Sequence, residues 1–284
     1  MKSPSESADA HQSEPAAVSG RGSRCRDVSI RRRAVSAVDC IDKLTMNNPL
    51  FNENRIDSIP ATSGQTMTVS GTIHKTTLLT CIAAATAVFS WTLAASPLAL
   101  PALIGGSVLG LIIVLVASWK PTLAPVLAPI YAVCQGAALG VISAMYNSQS
   151  NGIVLQAVLI TFGILFAMLA LFQFRIIQVN DKFRSIVFAC TLGIALVYLA
   201  NLGLMFFGIQ MPFLHDSSPL GIGISLFIIV IAAMNFLVDF DNIEKGAAAN
   251  APKYYEWLAS LGVLVTLVWL YIEVLRLLSK LNRR

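Results

Sequence analysis

The sequence predicts an all-α integral membrane protein with seven transmembrane helices, and three observations support this prediction. Of the 284 residues, 56% are hydrophobic and only 12% are charged, whereas an ordinary soluble domain carries about 25% charged residues. The mean hydropathy is +0.70. Between Thr76 and Phe174 the single charged side chain is Lys120. Composition therefore excludes a soluble enzyme, a fibrous protein and a fully disordered chain.

Residues 1–45 differ from the rest of the chain. They are rich in Ser, Ala, Arg and Asp and have no apolar period, so they cannot bury enough surface to offset chain entropy. Their six acidic residues argue against a transit peptide, and no apolar core follows the basic cluster Arg31–Arg33, as a signal peptide would require. We expect either a disordered extension or a segment upstream of a true start at Met46. Residues 46–76 then form a cytoplasmic N-terminal segment.

Residues 77–284 are predicted to form the transmembrane domain. Seven apolar stretches follow one another here, each long enough to cross about 30 Å of hydrocarbon. Only Ser96 and Pro97 separate the first two, which predicts a tight helical hairpin. The predicted spans are 77–95, 98–118, 124–145, 153–172, 186–207, 220–238 and 256–278.

Orientation follows from the basic residues of the short loops. The connections after helices two, four and six carry six Lys or Arg residues, and those after helices one, three and five carry none. Cytoplasmic loops are enriched in Lys and Arg, so these loops and the N-terminus are expected to face the cytoplasm. The C-terminal cations Lys280, Arg283 and Arg284 would then lie outside, against the rule, unless the last segment does not fully cross. The six loop residues are Lys120, Arg175, Lys182, Arg184, Lys245 and Lys253.

Small and neutral polar residues predict contacts between helices. Gly106 and Gly110 in helix two, and Gly136 and Gly140 in helix three, are spaced one turn apart, so that neighbouring backbones can approach closely. We interpret both pairs as packing within the chain, with a dimer contact as the alternative. The polar residues expected to form interhelical hydrogen bonds are Gln135, Gln156, Asn201 and Asn235.

The acids at the end of helix six are the strongest candidates for function. Asp239 lies at the edge of the predicted hydrocarbon, and Asp241 and Glu244 follow it, three residues apart on one helical face. A carboxylate in that position is costly to keep ionised, which makes it a proton switch or a cation ligand, with calcium as the candidate ion. The alternative is an acid that simply ends the helix among lipid headgroups.

Two further ionisable positions are candidates. Glu273 lies inside helix seven and can pair with Arg276, three residues further on. Alternatively, both side chains reach the outer membrane surface among aromatic residues. Lys120 follows Trp119 at the end of helix two, where it is either a membrane anchor or a counter-ion.

Several kinds of chemistry find no support in the sequence. The five cysteines and three histidines are scattered without metal-ligand spacing, and the spans contain no nucleophile–base pair. We therefore expect no enzyme activity and no cofactor other than calcium. The basic residues lie in the N-terminal tail and at helix ends, which argues against nucleic-acid binding.

Eight short stretches, in a fixed order through the spans, carry a family resemblance. They are Met46–Phe51, Gly71–Thr76, Trp119–Pro121, Ala128–Ala132, Val197–Leu199, Pro219–Gly223, Asp239–Glu244 and Leu270–Leu281. With these stretches the chain, from Met46 to its end, resembles the Bax inhibitor-1/YccA family, also called the transmembrane Bax-inhibitor-motif family. It is most similar to the bacterial Bax inhibitor-1-like branch.

The resemblance implies a fold, a location and an activity. The fold has seven helices, with the last one central and two groups of three around it, in a bacterial inner membrane. Members of the family behave as pH-sensitive calcium leak channels, in which an acid at the end of helix six shares a proton with an acid in helix seven. A basic residue at the end of helix two latches the closed state. The YccA branch implies instead a regulator that binds a membrane-bound AAA protease.

Carried over residue by residue, the resemblance is partial. Asp239 matches the helix-six acid, and Lys120 stands where the family has Arg, although Lys lacks the two-pronged guanidinium. Gln135 stands where many members have Glu, and it cannot titrate. By its local pattern, Glu273 resembles the helix-seven acid.

Geometry weighs against a direct bond between Asp239 and Glu273. A hairpin that turns near Asn250 would set Asp239 level with Leu261, so Glu273 would lie about 18 Å further along the helix. If Asp239 and Glu273 do not bond directly, Asp239 would act with Lys120, Asp241 or Glu256, near the cytoplasmic end of the bundle.

We therefore expect a proton-gated cation channel, with calcium as the ion and Asp239 in the gate. The alternative is a membrane regulator that transports nothing and binds a partner such as a membrane-bound protease. The expected partners are the lipid bilayer and either calcium or protons, and in the alternative that protease.

Overall fold

The computed structural model describes residues 66–206 and 218–283, and within them seven helices are long and apolar enough to cross a membrane. The predicted all-α, multi-pass membrane protein is thereby confirmed. The expectations for residues 1–45, for most of 46–76 and for the motif Met46–Phe51 lie outside the described residues. The helices are α1 (Val69–Trp91), α2 (Ala99–Trp119), α3 (Ala124–Gln149), α4 (Ile153–Gln173), α5 (Asp181–Phe206), α6 (Pro219–Ala248) and α7 (Tyr254–Asn282).

The predicted helix boundaries differ most from the observed ones at the start of α1 and the end of α6. Helix α1 begins at Val69 rather than near residue 77, because Thr68 caps it by accepting a hydrogen bond from the Gly71 amide at 3.0 Å. Helix α6 continues to Ala248 instead of ending near residue 238. The acids from Asp239 to Glu244 therefore lie within a helix and do not terminate it.

Helix α7 occupies the centre of the bundle. It packs against α1, α3, α4 and α6, and its buried residues run from Tyr255 to Lys280. Of its most apolar stretch 67% is buried, against 6% for α5, which lies at the edge. This arrangement confirms the expectation that the last helix is central.

The outer faces of α1, α2, α4 and α5 are apolar and exposed. Val88 is 73% exposed, Leu100 66% and Phe166 63%. Soluble monomers rarely expose contiguous apolar surface of this kind, whereas lipid chains cover it at no cost. These faces are where the bundle meets the hydrocarbon.

The connection between α6 and α7 is a tight antiparallel turn. Asn250 adopts a φ of 53°, in the left-handed region that Asn tolerates. The turn lies where the sequence predicted it. Met67 donates its backbone N–H to the carbonyl oxygen of Ala251 at 2.7 Å, and its buried side chain lies against Gly246. The segment before α1 is therefore fastened to this turn.

Glu256 joins the beginnings of α1 and α7. Its fully buried carboxylate accepts hydrogen bonds from the Thr68 amide at 2.9 Å and the Thr68 hydroxyl at 3.0 Å, and it pairs with Lys75. Lys253 approaches it at 3.8 Å. Gly71 faces the same carboxylate so closely that a Cβ there would overlap with it. We call Glu256, Thr68 and Lys75 the α1–α7 clamp.

The four glycines of the Gly-x-x-x-Gly pairs lie where helices of this one chain approach closely. A Cβ on Gly106 or Gly110 of α2 would overlap with α3. A Cβ on Gly136 or Gly140 of α3 would overlap with backbone oxygens of α1. The contacts α2–α3 and α1–α3 therefore depend on the missing side chains.

We expect Gly140→Leu to destabilise the protein. The added side chain would collide with backbone of α1, which cannot move aside as a flexible side chain can, and overpacking typically costs about 1–3 kcal/mol. The measurement is thermal unfolding in detergent. Gly163→Leu is the matched control, since nothing lies within 4 Å of a Cβ at Gly163 in the described part of the chain. Equal unfolding temperatures for the two variants would contradict the packing role.

We expect Glu256→Gln to loosen the α1–α7 clamp. It leaves the Lys75 ammonium, whose side chain is only 16% exposed, without its carboxylate, and breaking a buried pair typically costs about 3–5 kcal/mol. Hydrogen exchange of the Met67 and Thr68 amides should accelerate. Glu244→Gln is the control, because its ion pair with Arg175 is exposed and such pairs contribute about 0–1 kcal/mol. Unchanged exchange in Glu256→Gln would show that the clamp does not hold the segment.

Candidate functional site

Asp239 lies between α6 and α7, half-buried. Its Oδ2 accepts a hydrogen bond from the hydroxyl of Thr266 at 2.7 Å, and Thr266 Oγ1 also lies 3.2 Å from the Gly262 carbonyl oxygen. Gly262 leaves space for the other carboxylate oxygen, because a Cβ there would stand 3.8 Å from Oδ1. One hydroxyl group of α7 thus holds the carboxylate of α6.

No described Lys or Arg pairs with Asp239. Its neighbours on α6 include the buried Phe236, whose ring stacks on Phe240 at a centroid distance of 6.1 Å, and Phe240 in turn contacts Phe172 of α4 at 5.8 Å. Burying a carboxylate charge is costly unless a counter-charge or several hydrogen bonds compensate it. With one hydrogen bond and no cation, the charge of Asp239 is poorly compensated.

The acids that follow Asp239 have different surroundings. Asp241 pairs with Arg184 at the start of α5 and with Lys245 at 3.1 Å, and Arg184 also donates to Asn242 at 2.8 Å. Glu244 pairs at 3.2 Å with Arg175, and both of these side chains are largely exposed. Asp241 and Glu244 therefore fasten α6 to the α4–α5 connection and do not join Asp239 in one cluster.

Glu273 is buried in a separate polar group. Its carboxylate accepts hydrogen bonds from the Tyr198 hydroxyl at 2.7 Å and from Arg276 Nη1 at 2.9 Å, and it is 1% exposed. The Arg276 guanidinium also lies over the Tyr198 ring, 5.1 Å from the centroid. The side chains pair along one face of α7, as the spacing suggested, with the Glu273 carboxylate buried in the bundle and the Arg276 side chain 24% exposed.

Asp239 and Glu273 form no hydrogen bond with each other. Asp239 lies beside Gly262 and Thr266, and Glu273 lies two to three helical turns further along α7, or roughly 10–17 Å. Each carboxylate has its own partners. The antiparallel hairpin keeps the two acids apart in this conformation, at a smaller separation than the roughly 18 Å that the sequence predicted.

The other residues proposed as partners of Asp239 also contact other groups instead. Lys120 caps the C-terminus of α2, with its amide bonded to the Val116 carbonyl at 2.8 Å and its side chain exposed. It forms no ion pair with any carboxylate in the described ranges. Glu256 belongs to the α1–α7 clamp and Asp241 to the Arg184 contact. Asp239 therefore has Thr266 as its side-chain partner.

The arrangement does not provide a resident calcium site. Calcium binds six to eight oxygen ligands, whereas Asp239 brings one carboxylate and one neighbouring hydroxyl. Among the residues that the structure describes, no group of three or more His, Cys, Asp or Glu could hold a metal ion.

The sequence did not predict two buried polar contacts, the Lys75–Glu256 pair and the contacts of Lys280. The ion pair between Lys75 and Glu256 joins residues far apart in the chain, and no local sequence pattern predicts it. Lys280 was counted as part of an exposed tail, yet it is 4% exposed and donates to the Gly221 carbonyl oxygen and the Ser225 hydroxyl, both at 2.9 Å. The sequence did indicate that Lys280 shares a face of α7 with Arg276, because the two residues are four positions apart.

Comparison with known proteins agrees with the fold. The chain matches no curated protein and no solved structure. A sequence model of the family described as "Bax inhibitor 1 like" matches residues 48–283, which includes all seven helices and the acid at the α6–α7 contact. The chain therefore belongs to the Bax inhibitor 1 like family.

Proposed function

We propose that the protein conducts a leak of cations, with calcium as the expected ion, and that Asp239 gives the leak its dependence on pH. One observation carries this proposal. Of the five carboxylates on α6 and α7, Asp239 alone has no Lys or Arg partner among the described residues. The other four are Asp241, Glu244, Glu256 and Glu273.

The lack of a counter-charge supports a role in ion passage. An ionised Asp239 gains stability from a proton, from a cation or from water that enters between the helices. A proton and a metal cation compete for the same oxygens. A passage that includes Asp239 would therefore conduct cations less well as the pH falls.

The contacts around Asp239 also suit a gate. Among the described residues, one side-chain hydrogen bond joins Asp239 of α6 to α7, and it comes from the Thr266 hydroxyl. The other acids of α6 and α7 on either side of it are engaged, with Asp241 bound to Arg184 and Glu273 bound to Arg276. The helices can therefore part at Asp239 without breaking an ion pair.

We expect Asp239→Asn to lower calcium flux and to abolish its dependence on pH. Asn keeps the shape and can still accept the Thr266 hydrogen bond, but it neither titrates nor attracts a cation. In the unmodified protein the ionised fraction of one acid falls about tenfold per pH unit below its pKa. The measurement is entry of calcium into dye-loaded liposomes that contain the purified protein, from pH 8 to pH 5.

Glu244→Gln is the matched control for this experiment, since it neutralises an acid on the same helix that is exposed and paired with Arg175. It should leave the pH profile unchanged. If the protein conducts no calcium at any pH, the channel proposal fails. Specific co-purification of a membrane-bound protease in that case would favour the non-transporting regulator.

We further propose that the α6–α7 turn faces the cytoplasm of a bacterial inner membrane. The connections and helix ends on this side of the bundle carry Lys120, Arg175, Lys182, Arg184, Lys245 and Lys253. None of the opposite connections carries Lys or Arg. Lys and Arg are enriched in cytoplasmic loops.

Cysteine labelling tests this orientation. In a background without native cysteines, Asn151→Cys lies in the exposed α3–α4 turn and Lys182→Cys at the exposed start of α5. We expect an impermeant maleimide to label Asn151→Cys in intact cells, and Lys182→Cys only after the membrane is opened. The reverse pattern would overturn the orientation.

A further inference from the structure

A cavity of about 340 Å³ lies between α2, α3 and α7, at the end of the bundle opposite the α6–α7 turn. One part of its wall is apolar, from Leu103, Ile142 and Ile272. The other part is polar and basic. The polar side chains that line it are Tyr146, Gln149, Arg276, Ser279, Lys280 and Arg283.

The three cations share one face of α7, because Arg276, Lys280 and Arg283 follow one another at intervals of four and three residues. Arg276 pairs with Glu273, whereas Arg283 bonds to the neutral Gln149 and has no carboxylate partner among the described residues. The positive charge of Arg283 therefore leaves this end of the cavity basic.

Arg276 has hydrogen-bonding capacity to spare. Its bonds to Glu273 and Tyr198 all use Nη1. A guanidinium has five N–H donors, so those on Nε and Nη2 have no partner among the described residues. Arg283 uses Nη2 to bond with Gln149 at 2.8 Å and is otherwise exposed. Two guanidinium groups thus present unused donors at one cavity, which is the donor geometry that suits the oxygens of a phosphate.

The depth of the cavity matches the headgroup region of a bilayer. Helix α7 has 29 residues and is therefore about 44 Å long, whereas the hydrocarbon core is about 30 Å thick. If Val268, the middle residue of α7, lies near the bilayer centre, Arg276 lies about 12 Å from it and Arg283 about 22 Å. The two arginines then bracket the boundary between acyl chains and phosphates.

We propose that this cavity binds the phosphate of an anionic phospholipid, with Arg276 and Arg283 as the donors and with the apolar wall against the glycerol and upper acyl chains. A free phosphate ion would use the same donors. The apolar wall favours the lipid, because an inorganic ion gains nothing from it. Lys280 also lines the cavity, with its ammonium bonded to Gly221 and Ser225.

The test compares lipid binding by the full chain in phosphatidylcholine nanodiscs that contain added phosphatidylglycerol. Native mass spectrometry counts the phosphatidylglycerol molecules that remain bound after release from the disc. We expect Arg283→Gln to weaken this binding about tenfold, the loss typical of one charge-assisted hydrogen bond. Arg276→Lys, which keeps the charge but loses the planar donor set, should also weaken it.

Lys182→Gln is the matched control, since it removes one exposed positive charge at the other end of the bundle. It should retain phosphatidylglycerol as the unmodified protein does. Equal losses in Arg283→Gln and Lys182→Gln would show a nonspecific charge effect and overturn the proposal, as would no preference for phosphatidylglycerol over phosphatidylcholine.

Inorganic phosphate provides the second arm of the experiment. Millimolar phosphate added to the discs should not displace the retained phosphatidylglycerol. If it does displace the lipid, the site recognises a free oxyanion and the lipid assignment is wrong. Arg283 is exposed and bonded only to Gln149, so its variant is expected to fold, and a monodisperse gel-filtration peak for each variant verifies this.

Discussion

The burial of α7 is the constraint on which the rest of the structure depends. A helix surrounded by other helices inside a bilayer has neither water nor lipid headgroups to satisfy its polar side chains over most of its length. Each polar group on α7 must therefore find a partner on a neighbouring helix. Glu256 finds Lys75 and Thr68, Thr266 finds Asp239, and Glu273 finds Tyr198. These contacts fix where the surrounding helices lie.

The polar contacts of α7 differ in how well they compensate charge. At both ends a carboxylate meets a cation, with Glu256 bound to Lys75 and Glu273 bound to Arg276. Between them, Asp239 meets only a hydroxyl group. Removing one partner of a buried ion pair is costly, so Glu256 and Glu273 each keep a compensating cation, and the Glu256 pair also joins α7 to α1. The middle level, which lacks such a pair, is the place where a proton or a cation changes the free energy most.

Hydropathy and spacing predicted the number of spans and the α6–α7 turn, because these follow from local composition and from the thickness of hydrocarbon. The central position of the last helix was implied by the family resemblance alone. The predicted start of α1 and the predicted end of α6 were wrong for a related reason. Polar residues such as Lys75 and Asp241 lower the local hydropathy, yet both lie in helices because distant residues bind them. Hydropathy records the preference of a side chain for lipid, and it carries no record of a partner that is distant in sequence.

The same limit explains how the candidate site was only partly foreseen. Asp239 was chosen because an acid at the edge of an apolar run is costly wherever the chain folds. The identity of its partner depends on the register between α6 and α7, which sequence fixes only to within a turn or so. One turn of error is about 5 Å, more than the difference between a hydrogen bond and no contact. Thr266 could therefore not be selected from among the neighbouring positions.

The C-terminal cations show why a charge must be located before it is counted. Taken as a tail, Lys280 and Arg283 oppose the orientation that the loop charges favour. In the fold, Lys280 is buried against Gly221 and Ser225, and it is a structural contact of α6 with α7. A lysine whose ammonium is held inside the bundle does not act as a loop charge, and Arg283 is bonded to Gln149 beside the same cavity. Only residues at the very end of the chain then conflict with the enrichment of Lys and Arg in cytoplasmic loops. The six basic residues at the other end of the bundle outnumber them as evidence for the orientation.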